Sequence, residues 1–226
     1  MELGIDTSTA YASVSLSDAG AVVKYQTWLS KRNHSVEVLP AISELVENVG
    51  ITLEDLEVIF VASGPGSFSS VRVGVTTAKG IASGLHVPIV GIPTADIERH
   101  PYLKLGGEAS VFLPAGRGRV YRIDYQENNF NEGQEVELVY FHKDEIVINE
   151  GQIVCGESVG ELINNGSIDR SLNVMEVAPP TRSMSSMASI GWRRFKKGSV
   201  DDVAALEPIY VQSSQIDSAE RARQKN

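Results

Sequence analysis

Hydrophobic and polar positions change period several times along this chain, and each change marks an element. Leu3-Gly4-Ile5-Asp6 reads as a short strand that ends in the polar turn Asp6-Thr7-Ser8-Thr9. From Tyr11 to Leu16, Ala12, Val14 and Leu16 alternate with Ser13 and Ser15, the period of a strand with one face buried. Ala19-Gly20 supplies a turn, and Val22 to Trp28 a third strand. Between Ser35 and Val49 the spacing becomes helical, through Val38, Leu39, Ile42, Leu45, Val46 and Val49, with Gly50 where a C-terminal cap belongs. Glu57 to Ala62 is apolar without alternation, as expected of a strand covered on both faces. A second helix over Ser69 to Leu85, a strand over Pro88 to Ile92 and a short helical stretch from Thr94 complete the first hundred residues.

The order βββαβαβα predicts a mixed sheet in which helices connect parallel strands, the ribonuclease-H-like arrangement. Lys104-Leu105-Gly106-Gly107-Glu108 reads as a linker. Beyond it come strands over Ala109 to Pro114, Arg119 to Gln126 and Val136 to His142. Strand Ile153 to Cys155, helix Ser158 to Asn164, strand Leu172 to Val177 and helix Ser183 to Lys196 follow. The second half repeats the first in outline with shorter elements. The expected fold is therefore α/β and two-lobed, of actin/hexokinase/Hsp70-like architecture. Each lobe is of βββαβαβα type, residues 1–104 forming the first and 105–226 a reduced second lobe with a C-terminal tail.

Composition narrows the function. The 226 residues are 42% hydrophobic and 22% charged, ordinary for a globular protein. A formal charge of −9 disfavours a broad nucleic-acid surface, so any nucleic acid is expected to be held by a partner. Cys155 is the single cysteine, which leaves no intrachain disulfide and no cysteine zinc site; in an apolar run it reads as a small buried hydrophobe. No charged-then-apolar leader opens the chain and no apolar run nears the roughly 20 residues of a membrane span, so a cytoplasmic setting without membrane contact is expected.

Two polar turns are candidates for chemistry. Asp6-Thr7-Ser8-Thr9 lies where two-lobed ATPases carry a phosphate-facing loop, yet its side chains could equally satisfy the turn's own amides. The second is Gly64-Pro65-Gly66-Ser67, which joins a strand to a helix. Amides at a helix start favour an anion, but the P-loop lysine, Gly-x-Gly-x-x-Gly and Gly-x-Ser-x-Gly are all absent. A helix-start turn capped by Ser67 or Ser69 explains it as well. Asp6, Thr7, Ser8, Gly64, Gly66 and Ser67 are the weak phosphate-site candidates. His34, His86, His100 and His142 never pair at metal-ligand spacing, and Asp96, Glu98 and Arg99 read as a solvated helix face.

The second helix carries one more signal. Ser70, Gly74, Ala78 and Ala82 recur every four residues as a ridge of small side chains, beside Val71 and Val75. Such a ridge lets a second helix approach closely, and a helix apolar most of the way round has more than one neighbour. With Leu39, Ile42 and Val46 of the first helix it forms the expected partner interface, and two copies could pair there as a homodimer.

Taken together, several blocks resemble the TsaB (YeaZ) family: Ile5-Asp6-Thr7-Ser8, His34-Ser35 with Leu39-Pro40, Gly64-Pro65-Gly66-Ser67-Phe68-Ser69, Arg72-Val73-Gly74, and Ala78-Lys79-Gly80-Ile81-Ala82 through Pro88-Ile89-Val90-Gly91-Ile92. Arg117-Gly118-Arg119-Val120-Tyr121 resembles the family's second-lobe opening, and Pro208-Ile209-Tyr210-Val211 its usual closing strand. Ser69-Ser70-Val71 departs from the family's common Thr-Gly-Leu. The resemblance implies a non-catalytic subunit of the machinery that makes threonylcarbamoyladenosine on tRNA. It implies a TsaD-like catalytic partner, a TsaE-like ATPase joining the complex, and ATP and metal on the TsaD-like partner rather than in this chain. The catalytic relative's His-x-x-x-His falls on Thr94-Ala95-Asp96-Ile97-Glu98, where neither histidine is present. The competing readings are an ATP-using enzyme of the actin/hexokinase class and a glycoprotease-like metal hydrolase. The first should bring an acid from each lobe, and the second-lobe turn Pro114-Ala115-Gly116-Arg117-Gly118 has none.

Overall fold

A computed structural model describes residues 1–126, 137–140, 146–170 and 172–210. Strands β1 (Glu2–Asp6), β2 (Tyr11–Asp18) and β3 (Ala21–Leu29) form the expected meander, followed by α1 (His34–Val49), β4 (Val58–Gly64), α2 (Phe68–Leu85), β5 (Ile89–Pro93) and α3 (Thr94–Arg99). The first sheet has the order β3-β2-β1-β4-β5, with β1 antiparallel to β2 and parallel to β4. Gly50 caps α1, its amide donating to Val46 and Glu47 carbonyls.

The unbroken apolar run of β4 is spent on two cores at once. Ile59 and Val61 pack with Leu3, Ile5, Val38, Leu45, Val71 and Val75 beneath α1 and α2. Val58, Phe60 and Ala62 face the opposite way, onto Met184 and Met187 of α5 (Met184–Lys196). Although α5 follows the sequence boundary at 104/105, it crosses back to close the first sheet.

The second sheet contains β6 (Ala109–Pro114), β7 (Arg119–Tyr125), β8 (Glu137–Tyr140) and β9 (Ile153–Cys155), in the order β8-β7-β6-β9. Ala95 of α3 packs on one face among Val111, Leu113, Ile123 and Tyr125, and α4 (Val159–Asn164) lies on the other through Val159 and Leu162. Among the described residues no helix lies between β8 and β9. Two expected strands take other forms. Residues 172–177 make only the single bridge Val174 to Val154 before the chain reaches Pro179 and Pro180, where no ladder can continue. At 208–210 there is no strand, only the Ile209 amide bonded to the Ser63 carbonyl at 2.7 Å. Val136, His142 and Val211, at the ends of expected strands, lie outside the described residues. Among those described, no helix is long and apolar enough to cross a membrane.

Candidate functional site

Of the six phosphate-site candidates, Asp6, Ser8, Gly66 and Ser67 come together, but against one another, while Thr7 turns to Ser70 and Gly64 lies against Ile209 and Val71. Asp6 ends β1, and its Oδ1 accepts from the Ser8 amide at 2.8 Å and from the Ser8 hydroxyl. Thr7 donates to the Ser70 carbonyl at 2.6 Å, and the Ser67 amide donates to the Ser8 carbonyl at 2.8 Å. Asp6, Thr7, Ser8 and Thr9 are all buried. Of the two glycines only Gly64 sits in the left-handed region, at φ 98°. Gly66 is needed for proximity: a Cβ there would lie 2.2 Å from the Ser8 oxygen. Ser67 holds the N-cap position of α2, but its side chain accepts from the Ser70 hydroxyl instead of a helix amide. The Ser8 carbonyl thus fills the space in front of the Ser67 amide, where an anion would have to lie.

Arg182 occupies the cleft between the sheets. Its Nε donates to Asp6 Oδ2 at 2.6 Å, Nη1 to Glu157 at 2.6 Å and to Glu98 at 3.2 Å, and Nη2 to the Thr9 hydroxyl at 2.7 Å and the Tyr11 carbonyl at 3.3 Å. The Thr9 hydroxyl in turn donates to Glu157 at 2.8 Å. Arg182, Asp6 and Glu98 side chains are 3%, 2% and 2% exposed, so the desolvation cost of these charges is met by one another and by the polar groups of Ser8, Thr9, Tyr11 and Thr181 bonded to them. Burial opposes the charge on Arg182, but Asp6, Glu98 and Glu157 override it and push its pKa up. Burial also pushes the Glu98 carboxyl up, and the charges of Glu157 and Asp6 add to this against Arg182 and Thr181. A planar fork alone can serve this many acceptors in different directions. Among the described residues, no group of three or more His, Cys, Asp or Glu is placed to hold a metal ion.

Three sequence expectations need correction. Glu98 and Arg99 are 2% and 4% exposed, not a solvated face, because α3 is sandwiched between the sheets. The second half does bring an acid to the cleft: Glu157, from the turn between β9 and α4 instead of 114–118. The third concerns the partner interface. Ser70, Val71, Gly74, Val75, Ala78 and Ala82 are buried within this chain, as are Ile42 and Val46. The ridge faces inward because α2 needs it there, a Cβ on Gly74 lying 2.4 Å from the Thr7 hydroxyl. Of the expected set only Leu39 faces outward, 53% exposed, with Val36 at 68% and Phe68 at 57% beside it on the two helices. A groove of about 410 Å³ opens between the helix starts, lined by Arg32, His34, Ser35, Ser67, Ser69, Ser70 and Val73. Sequence reasoning missed Arg182 and Glu157, since neither sits in a periodic or motif-bearing stretch. The one local signal is a charged residue directly after Pro179-Pro180-Thr181 in an otherwise uncharged run.

Two mixed sheets, a polar first turn and a cleft between them define the actin/hexokinase/Hsp70-like architecture. The same fold is seen in the activator of 2-hydroxyisocaproyl-CoA dehydratase from Clostridium difficile, at TM-score 0.51, 8% identity, and coverage of 87% of this chain and 94% of that one. The family model described as TsaD, tRNA N6-adenosine threonylcarbamoyltransferase, matches residues 28–140. The chain is 30% identical over 225 residues, 94% of each chain, to the tRNA threonylcarbamoyladenosine biosynthesis protein TsaB of Escherichia coli. It is 38% identical to TsaB of Bacillus subtilis over 128 residues, 56% of each. YeaZ from Pseudomonas aeruginosa superposes with TM-score 0.76 at 19% identity, covering 93% of this chain and 99% of that one. The chain belongs to the TsaB (YeaZ) family.

Proposed function

We propose that this chain acts in tRNA threonylcarbamoyladenosine biosynthesis as a non-catalytic subunit. It binds a TsaD-like catalytic subunit and supports formation of N6-threonylcarbamoyladenosine at position 37 of tRNA. The observation that carries the non-catalytic reading is the Arg182 guanidinium, fixed among Asp6, Glu98 and Glu157 where an enzyme of this architecture works on its substrate. The closed contact of Gly66 on Ser8 supports it from the other side of the turn. Nucleotide and metal then belong to the TsaD-like subunit, a TsaE-like ATPase joins the assembly, and tRNA is held by the partners, in keeping with the net charge of −9. An ATP-using enzyme would have to expel Arg182 from the cleft at the cost of three unpaired buried carboxylates.

The docking surface is the outward face of α1 and α2, centred on Val36, Leu39 and Phe68. In isolation two copies pair through the same face. Because Leu39 is exposed in the free chain, Leu39→Glu should leave the melting temperature within about 2 °C, as surface substitutions do. Size-exclusion chromatography with light scattering, with and without the organism's TsaD-like protein, reads the outcome. Loss of both co-elution and the homodimer is expected; a variant that still binds the partner at wild-type affinity excludes this face.

A further inference from the structure

We infer that Arg182 is a positioning residue for the outward helical face: by fixing the Asp6–Thr9 turn against the second sheet, it sets where α1 and α2 begin. The inference rests on the docking reading only for its consequence; the geometry stands without a partner.

The groups of the turn are bonded on one side to the cleft and on the other to the helices. On the cleft side, the Asp6 carboxylate and the Thr9 hydroxyl accept from Arg182, and Thr9 donates to Glu157 across the second sheet's turn. On the helix side, His34, the first residue of α1, holds the Thr9 carbonyl through Nε2 at 3.0 Å, with Nδ1 3.3 Å from the Ser30 hydroxyl. Thr7 reaches the Ser70 carbonyl in the first turn of α2, and the Ser8 carbonyl takes the amide of Ser67. Residue 9 therefore carries a bond to Arg182 and a bond to His34 at once.

Neither helix secures its own start. The N-cap residues Asn33 and Ser67 make no side-chain bond to a helix amide, so the usual local restraint on both first turns is missing. α1 keeps a second tie, since Trp28 Nε1 of β3 donates to Glu37 at 3.0 Å and the Asn33 amide donates to the Ser30 hydroxyl at 3.2 Å; the restraint that the two starts share is the turn itself. It has no slack, because the Ser8 oxygen leaves no room for even a Cβ at Gly66, nor Thr7 at Gly74. Close-packed contacts of this kind pass on a displacement instead of absorbing it, and buried hydrogen bonds in one network strengthen or fail together. A shift of the cleft guanidinium is thus delivered to the two helix starts that line the 410 Å³ groove.

Amide hydrogen exchange on the isolated full chain tests this without any partner, so its failure is distinct from a failure to bind one. In Arg182→Met, with rates normalised to β4 amides as a measure of global opening, the amides of Val38, Leu39, Ala41 and Ile42 in α1 and 72–76 of α2 should exchange at least tenfold faster. The C-terminal turns of both helices should stay within twofold. In a His34→Leu background the link from Thr9 to α1 is already cut, so Arg182→Met should add less than twofold at α1 while keeping its effect at α2. That non-additivity separates a relay from a general loss of stability. Should Arg182→Met not fold, Thr9→Val removes the shared hydroxyl at nearly constant shape and should accelerate the same α1 amides at least fivefold. Uniform acceleration, acceleration confined to α4 and the second sheet, no acceleration, or full additivity with His34→Leu would each overturn the inference.

Discussion

Replacing Gly66 by alanine adds one methyl group at the tightest contact beside the β1–β2 turn. The backbone at Gly66 is not in the left-handed region, so the added side chain brings no intrinsic torsional strain. The cost comes from overlap. The new Cβ would stand 2.2 Å from the Ser8 oxygen, more than 1 Å short of the 3.4 Å at which ordinary contact begins, and 3.0 Å from the Ser8 carbonyl carbon. Ser8 cannot retreat freely, because its amide is bonded to Asp6, which Arg182 holds in turn. The loop must move instead and stretch the 2.8 Å bond from the Ser67 amide to Ser8. Overpacking of this kind costs about 1–3 kcal/mol and a weakened hydrogen bond about 1 kcal/mol, together about 2–4 kcal/mol. For a chain of this size that corresponds to a fall in melting temperature of about 4–16 °C. Gly80→Ala in the same α2 is the control. Nothing lies within 4 Å of its Cβ position, so alanine should raise stability by about 0.5–1 kcal/mol through helix propensity alone. Differential scanning calorimetry of both variants, with far-ultraviolet circular dichroism to confirm helix content, provides the comparison. A Gly66→Ala protein melting within 1 °C of the parent would refute the close-approach argument.

Two further outcomes follow from the buried groups. Glu98 has its folded pKa raised by burial above the ordinary 4.5. Above the raised value it is ionised in both states and folding bears the full cost; as pH falls through it toward 4.5, the folded chain takes up the proton first and this cost is relieved. Glu98→Gln imitates the protonated form, so its melting temperature should exceed the parent's at pH 8 by a margin that shrinks toward pH 4.5; a margin independent of pH contradicts the reading. Cys155 is fully buried and burial pushes its thiol up, so a disulfide reagent at pH 8 should leave the native protein unlabelled and take one thiol per chain on unfolding. Stoichiometric labelling under native conditions at a rate independent of stability would count against it.

Much of the first half is determined by local pattern alone. The continuous apolar run of β4 specifies burial on two faces, and the structure divides those residues alternately between the cores. Helical spacing over 38–49 gives α1, Gly50 ends it, and the same local blocks mark the family. Such features are legible because the residues that cause them are neighbours along one strand or helix. The direction in which a ridge faces is not local in this sense. Small residues on α2 permit close approach, but only the position of the Asp6–Thr9 turn, more than sixty residues earlier, decides that Gly74 meets Thr7 inside the chain instead of another helix outside it. The Arg182 cluster lies further still from local rules. Its guanidinium meets Asp6 across a separation of 176 positions, Glu98 across 84 and Glu157 across 25. A charged side chain in an irregular segment reads as solvated until the fold removes the water around it; then the same charge must be answered by whatever carboxylates the two sheets bring within reach.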